Sequence, residues 1–250
     1  PQALEQSSDT IFYGFGDKFF RRYRSNGVEL QQRWAHDFGL GQKTGIDLPD
    51  EADGRIPDKQ WKRTYPFPDG YQRQWLPGDN INMAVGQGDV LVTPLQMAVA
   101  YSVIANGGHR VVPTLGKRIE TPAGSLVRQL SGTKASTPVT LSPSTLSIIR
   151  EGLRGVTSGP GGTATGVFGP VPLKGGFAGK TGTGENYGRE DHSWFVGYAP
   201  ADNPKIVVAI VVANGGTGAS AAAPAVCATM GEYLGYDPGL CGVAPPKKTN

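Results

Sequence analysis

Lys180-Thr181-Gly182-Thr183, in FAGKTGTGENYG, places a cation, two hydroxyls and a glycine in four consecutive positions. On a strand this order suits acyl transfer. Lys180 supplies positive charge beside a carboxylate-bearing substrate, and Thr181 and Thr183 offer hydroxyl donors to that carboxylate. Gly182 is expected to leave the strand face bare, so that a peptide can lie against the backbone as an added strand. The N–H of Thr183 is placed to form half of an oxyanion hole, acting only as negative charge develops. As a bare string, the four residues read more simply as an edge strand blunted by lysine. Lys-Thr-Gly occurs a second time, at Lys43-Thr44-Gly45. Chance alone supplies about 0.1 copies, so context has to separate the two.

Other chemistry-bearing residues are sparse. Ser7 and Asp9, in EQSSDTIFY, precede a helical pattern, where both types are favoured as caps. His36, His109 and His192 show no metal-ligand spacing, and no metal or cofactor is expected. His192 is either a site-lining residue or a strand end, and Arg189, Glu190 and Asp191 read as a solvated turn. Cys227 and Cys241 are either a disulfide or two unrelated thiols.

These residues need a scaffold, and 250 residues with 38% apolar content can bury one. A net charge of +3 is too mild to argue for nucleic acid. The longest apolar run, Ile206–Ala213, is far short of the roughly 20 residues a membrane helix needs. The start, PQALEQSSDT, has no initiator Met and no basic leader, and the chain is expected to be a processed piece of a longer one.

Helices are expected over Thr10–Tyr23, weakened by Gly14 and Gly16, and over the VELQQRWAHDFGLG stretch, ended by Gly39. The clearest helix opens with Thr93 as N-cap and Pro94 at the first position, and stops at Gly107-Gly108. Another begins at Ser142-Pro143. Residues 43–58 and 60–80 read as loops, the second rich in aromatic and basic residues. HRVVPTLGKRIE and GSLVRQL read as one strand pair, and SGPGGTATG as a glycine-rich loop. FAGKTGTGE, HSWFVGYAP and KIVVAIVVANG read as three antiparallel strands, the third apolar on both faces as a central strand would be. AAAPAVCATMGEYLG is expected as a helix on that sheet. The body is taken as 1–236 and a flexible tail as 237–250.

Lys180-Thr181-Gly182-Thr183 ahead of HSWFVGYAP resembles the third signature of the penicillin-binding proteins and serine β-lactamases. Ser7-Ser8-Asp9 is similar to the second. GLGQKTGIDLPDE and GDNINMAVGQGDVLVTPLQMAVAYSVIANGG resemble segments of the class B penicillin-binding proteins, in particular the elongation-type penicillin-binding protein 2 group. The likeness runs from about Gln6 to Asn214, in the right motif order. It makes Lys43-Thr44-Gly45 a structural turn. The implied fold is α/β (α+β), an antiparallel sheet flanked by helices plus an all-helical lobe, here only the C-terminal portion.

The resemblance implies a serine D,D-transpeptidase that cross-links peptidoglycan stem peptides and is acylated by β-lactams. A serine β-lactamase or β-lactam sensor, or a non-catalytic cell-wall peptide binder, are the alternatives. By matched position, Ser7 relays a proton and Lys180 orients Ser7. Thr181, Gly182 and Thr183 receive the substrate carboxylate, with the Thr183 N–H in the oxyanion hole. Asp9, where relatives more often carry an amide, is expected to pair with a lysine of the site. The first signature, Ser-x-x-Lys, should precede Ser7. The Ser131-Gly132-Thr133-Lys134 match falls between the second and third motifs, away from a helix start, so the nucleophile is expected on a missing N-terminal segment. The implied location is the outer face of the cytoplasmic membrane, with a glycan-polymerising membrane protein and shape-determining scaffolds as partners. That setting makes a Cys227–Cys241 disulfide the expectation.

Overall fold

The computed structural model describes residues 1–70, 73–130 and 134–242. The first hundred residues are helical. A short α1 (Gln2–Glu5) leads through Ser7 into α2 (Asp9–Asn26), which stops at Gly27, followed by α3 (Leu30–Asp37). Gly16 does not merely weaken α2. A Cβ there would lie 2.7 Å from the carbonyl of Asn80, so glycine lets the helix that carries Asn80 pass across α2.

The 60–80 stretch is not a plain loop, which corrects the expectation. It carries α4 (Lys59–Thr64) and the start of α5 (Pro77–Ala84). Asp58 caps α4 by accepting from Trp61 N at 2.6 Å, and Pro77 opens α5 at a position needing no N–H. Aromatics of this stretch stack on cations, with the Arg55 guanidinium 4.5 Å from the ring of Trp61 in α4 and that of Arg73 4.4 Å from Phe67.

α6 (Pro94–Ala105) begins as expected with a reciprocal cap. Thr93 Oγ1 accepts from Gln96 N and Gln96 Oε1 accepts from Thr93 N, both at 3.1 Å. The fully buried Gln96 amide also donates to Gln42 O and Asp53 O, which ties the 43–58 loop to this helix. The carbonyls at its far end accept from Arg150.

The expected single strand pair is two nested pairs. β1 (His109–Val112) pairs with β4 (Lys134–Pro138), and β2 (Arg118–Glu120) with β3 (Leu126–Gln129). Pro113 removes an N–H donor and splits the first run. Ser131, Gly132 and Thr133 of the Ser-x-x-Lys match lie outside the described residues.

α7 (Pro143–Ser158), capped by Ser142, and α8 (Thr165–Phe168) lead into the sheet. β5 (Ala178–Gly184), β6 (His192–Ala199) and β7 (Ile206–Val212) are antiparallel in the order β5-β6-β7. β7 is therefore an edge strand among the described ones rather than a central one. Its two-sided apolar pattern has another cause: α6 packs on it from one side and α9 (Ala222–Leu234) from the other. Phe168, Phe195, Val226 and Met230 fill the core under α9, and Tyr198, Leu153 and Ile104 the core under α6 and α7.

Residues 237–242 are not a flexible tail. Pro238–Leu240 form a 3₁₀ turn, Gly242 N donates to Val167 O, and Cys241 is disulfide-bonded to Cys227 of α9. Residues 243–250 lie outside the described residues. The architecture is the mixed α and antiparallel β arrangement that the resemblance implied, with an all-helical part before residue 106.

Candidate active site

β5 lies at the sheet edge, and its backbone parity decides what it offers. Thr183 O accepts from Gln87, beyond the sheet, and Thr181 O from the Lys180 amine rather than from β6. A strand residue's N–H points to the same side as its own C=O, so the N–H groups of Thr181 and Thr183 also face away from β6. Lys180, Gly182 and Gly184 pair with Val196, Trp194 and His192. These residues line one wall of a cleft of about 600 Å³, and residues 83–92 with Tyr101 line the other.

Ser7 comes to this strand from the opposite end of the chain. α1 seats on α7 where glycines replace side chains. A Cβ on Gly152 would lie 2.8 Å from Leu4 Cβ, and one on Gly159 only 2.3 Å from Glu5 Oε1. Glu5 Oε1 also accepts from Gly161 N at 3.0 Å. Held this way, the chain turns into α2 through Ser7, whose φ of 54° is left-handed and strained for a non-glycine residue. The simple capping role does not apply: Ser8, not Ser7, is the N-cap, and no side chain caps α2. The hydroxyl of Ser7 instead accepts from Lys180 Nζ at 2.7 Å.

The Lys180 amine has further acceptors at Thr181 O, 3.0 Å, and Thr181 Oγ1, 3.4 Å. That matches the three protons of an ammonium with three oxygens. Burial still dominates and pushes Lys180 down to about 8, while the Asp9 carboxylate partly offsets it. Asp9 sits in the first turn of α2 and acts on Lys180 through space; no ion pair joins them among the described residues.

Gly182 lines the cleft. A Cβ there would lie 3.1 Å from Cβ of its cross-strand partner Trp194, and a Cβ on Gly218 would meet Gly182 N and O at 2.7 Å. Glycine at 218 is what lets that segment approach the β5 backbone. His192 lines the cleft, and its Nδ1 accepts from Asn214 N at 3.1 Å. That bond fixes the neutral tautomer with its proton on Nε2.

Three neighbours were not singled out by sequence reasoning. Glu5 anchors the turn at Ser7. Thr163 shares a 2.7 Å hydroxyl contact with Thr181. Gln87 bonds to Thr183 O at 2.8 Å. The signal for Gln87 was its place between two glycines in VGQGDV, and Thr163 follows the glycine run of SGPGGTATG.

The other Lys-Thr-Gly is elsewhere occupied. Glu51 accepts from Thr44 N at 2.7 Å, Thr44 Oγ1 at 2.5 Å and Gly45 N at 3.1 Å, and Gly45 has φ 83°. Burial pushes the Glu51 carboxyl up, but these hydrogen bonds and the charge of Lys43 outweigh it and hold the group below the usual carboxylate range. Lys43-Thr44-Gly45 is a turn closed by its own carboxylate. Among the described residues no cluster of metal-ligating side chains occurs.

The sequence matches the family model described as penicillin binding protein transpeptidase domain over residues 1–231. It is 31% identical over 249 residues to peptidoglycan D,D-transpeptidase MrdA of Haemophilus influenzae, which covers 93% of this chain and 36% of that protein. The fold is similar to Pseudomonas aeruginosa PBP2 in complex with WCK 5153, with a TM-score of 0.76 at 33% identity over 93% of this chain and 48% of that one. It is also similar to Helicobacter pylori PBP2, solved in complex with MreC, with a TM-score of 0.66 at 27% identity over 86% of this chain and 36% of that one. The chain thus spans about a third of the length of the curated relative.

Proposed function

This chain belongs to the penicillin-binding protein transpeptidase family, and from that premise we propose that it carries two of the three signature elements of a peptidoglycan D,D-transpeptidase site. The observation that carries this reading is the 2.7 Å contact between Lys180 Nζ and Ser7 Oγ, beside an open strand edge.

In this reading a serine hydroxyl attacks the carbonyl of the penultimate D-Ala of a stem peptide. The C–N bond breaks and the terminal D-Ala leaves as its amine, taking the proton that the serine gave up. An amine of a neighbouring stem then attacks the ester, its proton returns to the serine, and the cross-link is made. Ser7 relays the proton toward the leaving amine. Lys180 holds Ser7 and supplies a cation for the substrate's terminal carboxylate, which Thr181 and Thr183 also bind. The Thr183 N–H stabilises the oxyanion. Asp9 keeps Lys180 more basic than burial alone would.

The nucleophile and its lysine are assigned to a Ser-x-x-Lys segment outside residues 1–250. Among the described residues, Ser7 is the one serine that the Lys180 amine contacts. The site is placed outside the cytoplasmic membrane, where the Cys227–Cys241 bond persists. No helix among the described residues is long and apolar enough to cross a membrane. Partners in this reading are a glycan-polymerising membrane protein and an MreC-like scaffold.

The test is covalent labelling by a fluorescent penicillin. The full-length protein is expected to label stoichiometrically and Lys180→Ala to slow labelling by about 100-fold or more, while residues 1–250 alone take no label. Labelling of the 250-residue chain alone overturns the assignment of the nucleophile. Rapid release of hydrolysed penicillin points to a β-lactamase instead.

A further inference from the structure

Thr183 is flanked by Gly182 and Gly184, at the end of an edge strand. Glycine on both sides leaves its peptide planes the least restrained on β5. Donation to an oxyanion needs the reverse, a donor already held in place before charge develops. On the inner side, Gly182 and Gly184 pair with β6. Among the described strands none pairs with the outer side, and beside Thr183 a side chain takes that place.

That side chain is Gln87. It follows α5, between Gly86 and Gly88, both left-handed at φ 73° and 72°. Its own N–H donates to Asn82 O at 2.9 Å, which fixes the turn to the helix. From there its amide reaches across the cleft. Nε2 donates to Thr183 O at 2.8 Å, and Oε1 accepts from Glu185 N at 3.4 Å. One carboxamide thus engages Thr183 of β5 and Glu185 just past its end, with one donor and one acceptor, as a neighbouring strand would. A primary amide does both, whereas an ionised carboxylate only accepts and a thioether donates nothing.

We propose that Gln87 is a positioning residue for acyl transfer, which clamps the outer edge of β5 at Thr183 and Glu185 and so holds the Thr183 N–H toward the groove. The inference rests on the transpeptidase reading above. The role is indirect, since Gln87 acts through the backbone of Thr183.

The test uses the full-length protein carrying Gln87→Met, which keeps length and removes both bonds, and Gln87→Glu, which keeps the acceptor. Penicillin acylation is resolved into non-covalent affinity and the first-order acylation step. Amide hydrogen exchange is read at Thr183 and Glu185. In Gln87→Met the acylation step is expected to fall between about tenfold and a hundredfold, with affinity nearly unchanged and faster exchange at Glu185. In Gln87→Glu the defect relative to wild type is expected to shrink below about pH 5, where a protonated carboxyl again donates to Thr183 O. A merely structural role would not produce that profile. A folded Gln87→Met protein that acylates at the wild-type rate overturns the proposal. If the unsubstituted protein takes no penicillin, the transpeptidase reading falls. The clamp is then decided by exchange at Glu185, where acceleration upholds it and no change overturns it.

Discussion

Ser7 and Lys180 are 173 residues apart in the chain, and the hydroxyl of one accepts a 2.7 Å hydrogen bond from the amine of the other. Neither side chain is there by local preference. Ser7 occupies a left-handed turn, and Lys180 keeps its ammonium partly out of water. The pair persists because α1 is seated on α7 and because α7, in turn, packs on β5.

The Lys180 amine titrates about where its charge matters. Its folded value of about 8 lies below the ordinary 10.5, because burial disfavours the cation more than Asp9 favours it. Two consequences have opposite signs. Recognition of a substrate carboxylate is present below about pH 8 and lost as pH rises through it. Stability runs the other way: between about 8 and 10.5 the unfolded chain binds the proton and the folded one does not, so the penalty of burial is relieved as pH rises. Acylation against pH is therefore expected to fall on a limb near 8. Lys180→Met is expected to be more stable than wild type at pH 7 by on the order of 1–3 kcal/mol, while failing to acylate. A limb near 10, or a destabilised Lys180→Met, would show that the amine is not desolvated.

The backbone at Ser7 allows its hydroxyl and its strain to be separated. Ser7→Ala and Ser7→Gly remove the same oxygen from Lys180, so their acylation losses should agree. They differ in backbone cost, because a φ of 54° suits glycine and not alanine. Ser7→Gly is expected to be the more stable of the two by about 1 kcal/mol, read from paired denaturant midpoints. Equal stabilities would mean that the turn relaxes when the hydroxyl is lost.

The sheet and the longer helices were legible in the sequence, and the short helices were not. Three short apolar runs with turns between them leave few alternatives to a meander, and Thr93-Pro94 with Gln96 announces a helix start by local chemistry alone. α4 and α5 escaped notice because each is too short to show a period. Their Pro and Gly residues, Pro77 and Gly78 above all, read as punctuation although proline is acceptable in a first turn. β7 was misplaced because a two-sided apolar pattern reports burial of both faces, which helices provide as well as flanking strands do. Within the site, Lys180 to Thr183 stood out as a string. Ser7, Glu5, Gln87 and Thr163 are ordinary polar residues whose meaning lies in contacts across more than a dozen residues. Resemblance found the first of these, and coordinates were needed for the other three.

Glu5 illustrates how remote packing reaches the site. A Cβ on Gly159 would come within 2.3 Å of Glu5 Oε1 and 2.8 Å of Gly155 O, so alanine there displaces the Glu5 carboxylate from its seat and presses on the end of α7. Gly159→Ala is expected to cost about 1–3 kcal/mol and to slow penicillin acylation by displacing Ser7. Adding Glu5→Ala should recover part of both losses. Gly166→Ala is the control, since nothing lies within 4 Å of its Cβ position. Acylation unaffected by Gly159→Ala would uncouple α1 from the site.

The two Lys-Thr-Gly copies make the last comparison, because the same tripeptide meets opposite surroundings. At 43–45 the N–H groups of Thr44 and Gly45 and the Thr44 hydroxyl close on Glu51, so these donors already serve a carboxylate of the chain itself. At 180–183 the amine closes on Ser7, and the N–H groups of Thr181 and Thr183 face away from β6. Lys43→Ala is accordingly expected to leave acylation unchanged, whereas Lys180→Ala slows it by about 100-fold or more. Glu51→Gln keeps one acceptor oxygen and turns an amide donor toward the remaining N–H. Its cost is expected to be about 1–2 kcal/mol, with acylation per folded molecule intact. The Glu51 carboxyl is held low in the folded state, so its contribution to stability is present above the ordinary 4.5 and is lost as pH falls through the depressed folded value. The stability gap between wild type and Glu51→Gln should therefore narrow on acidification, measured by denaturant midpoints from pH 7 to pH 3. A gap that stays constant over that range would mean that Thr44 and Gly45 are held by something other than the charge on Glu51.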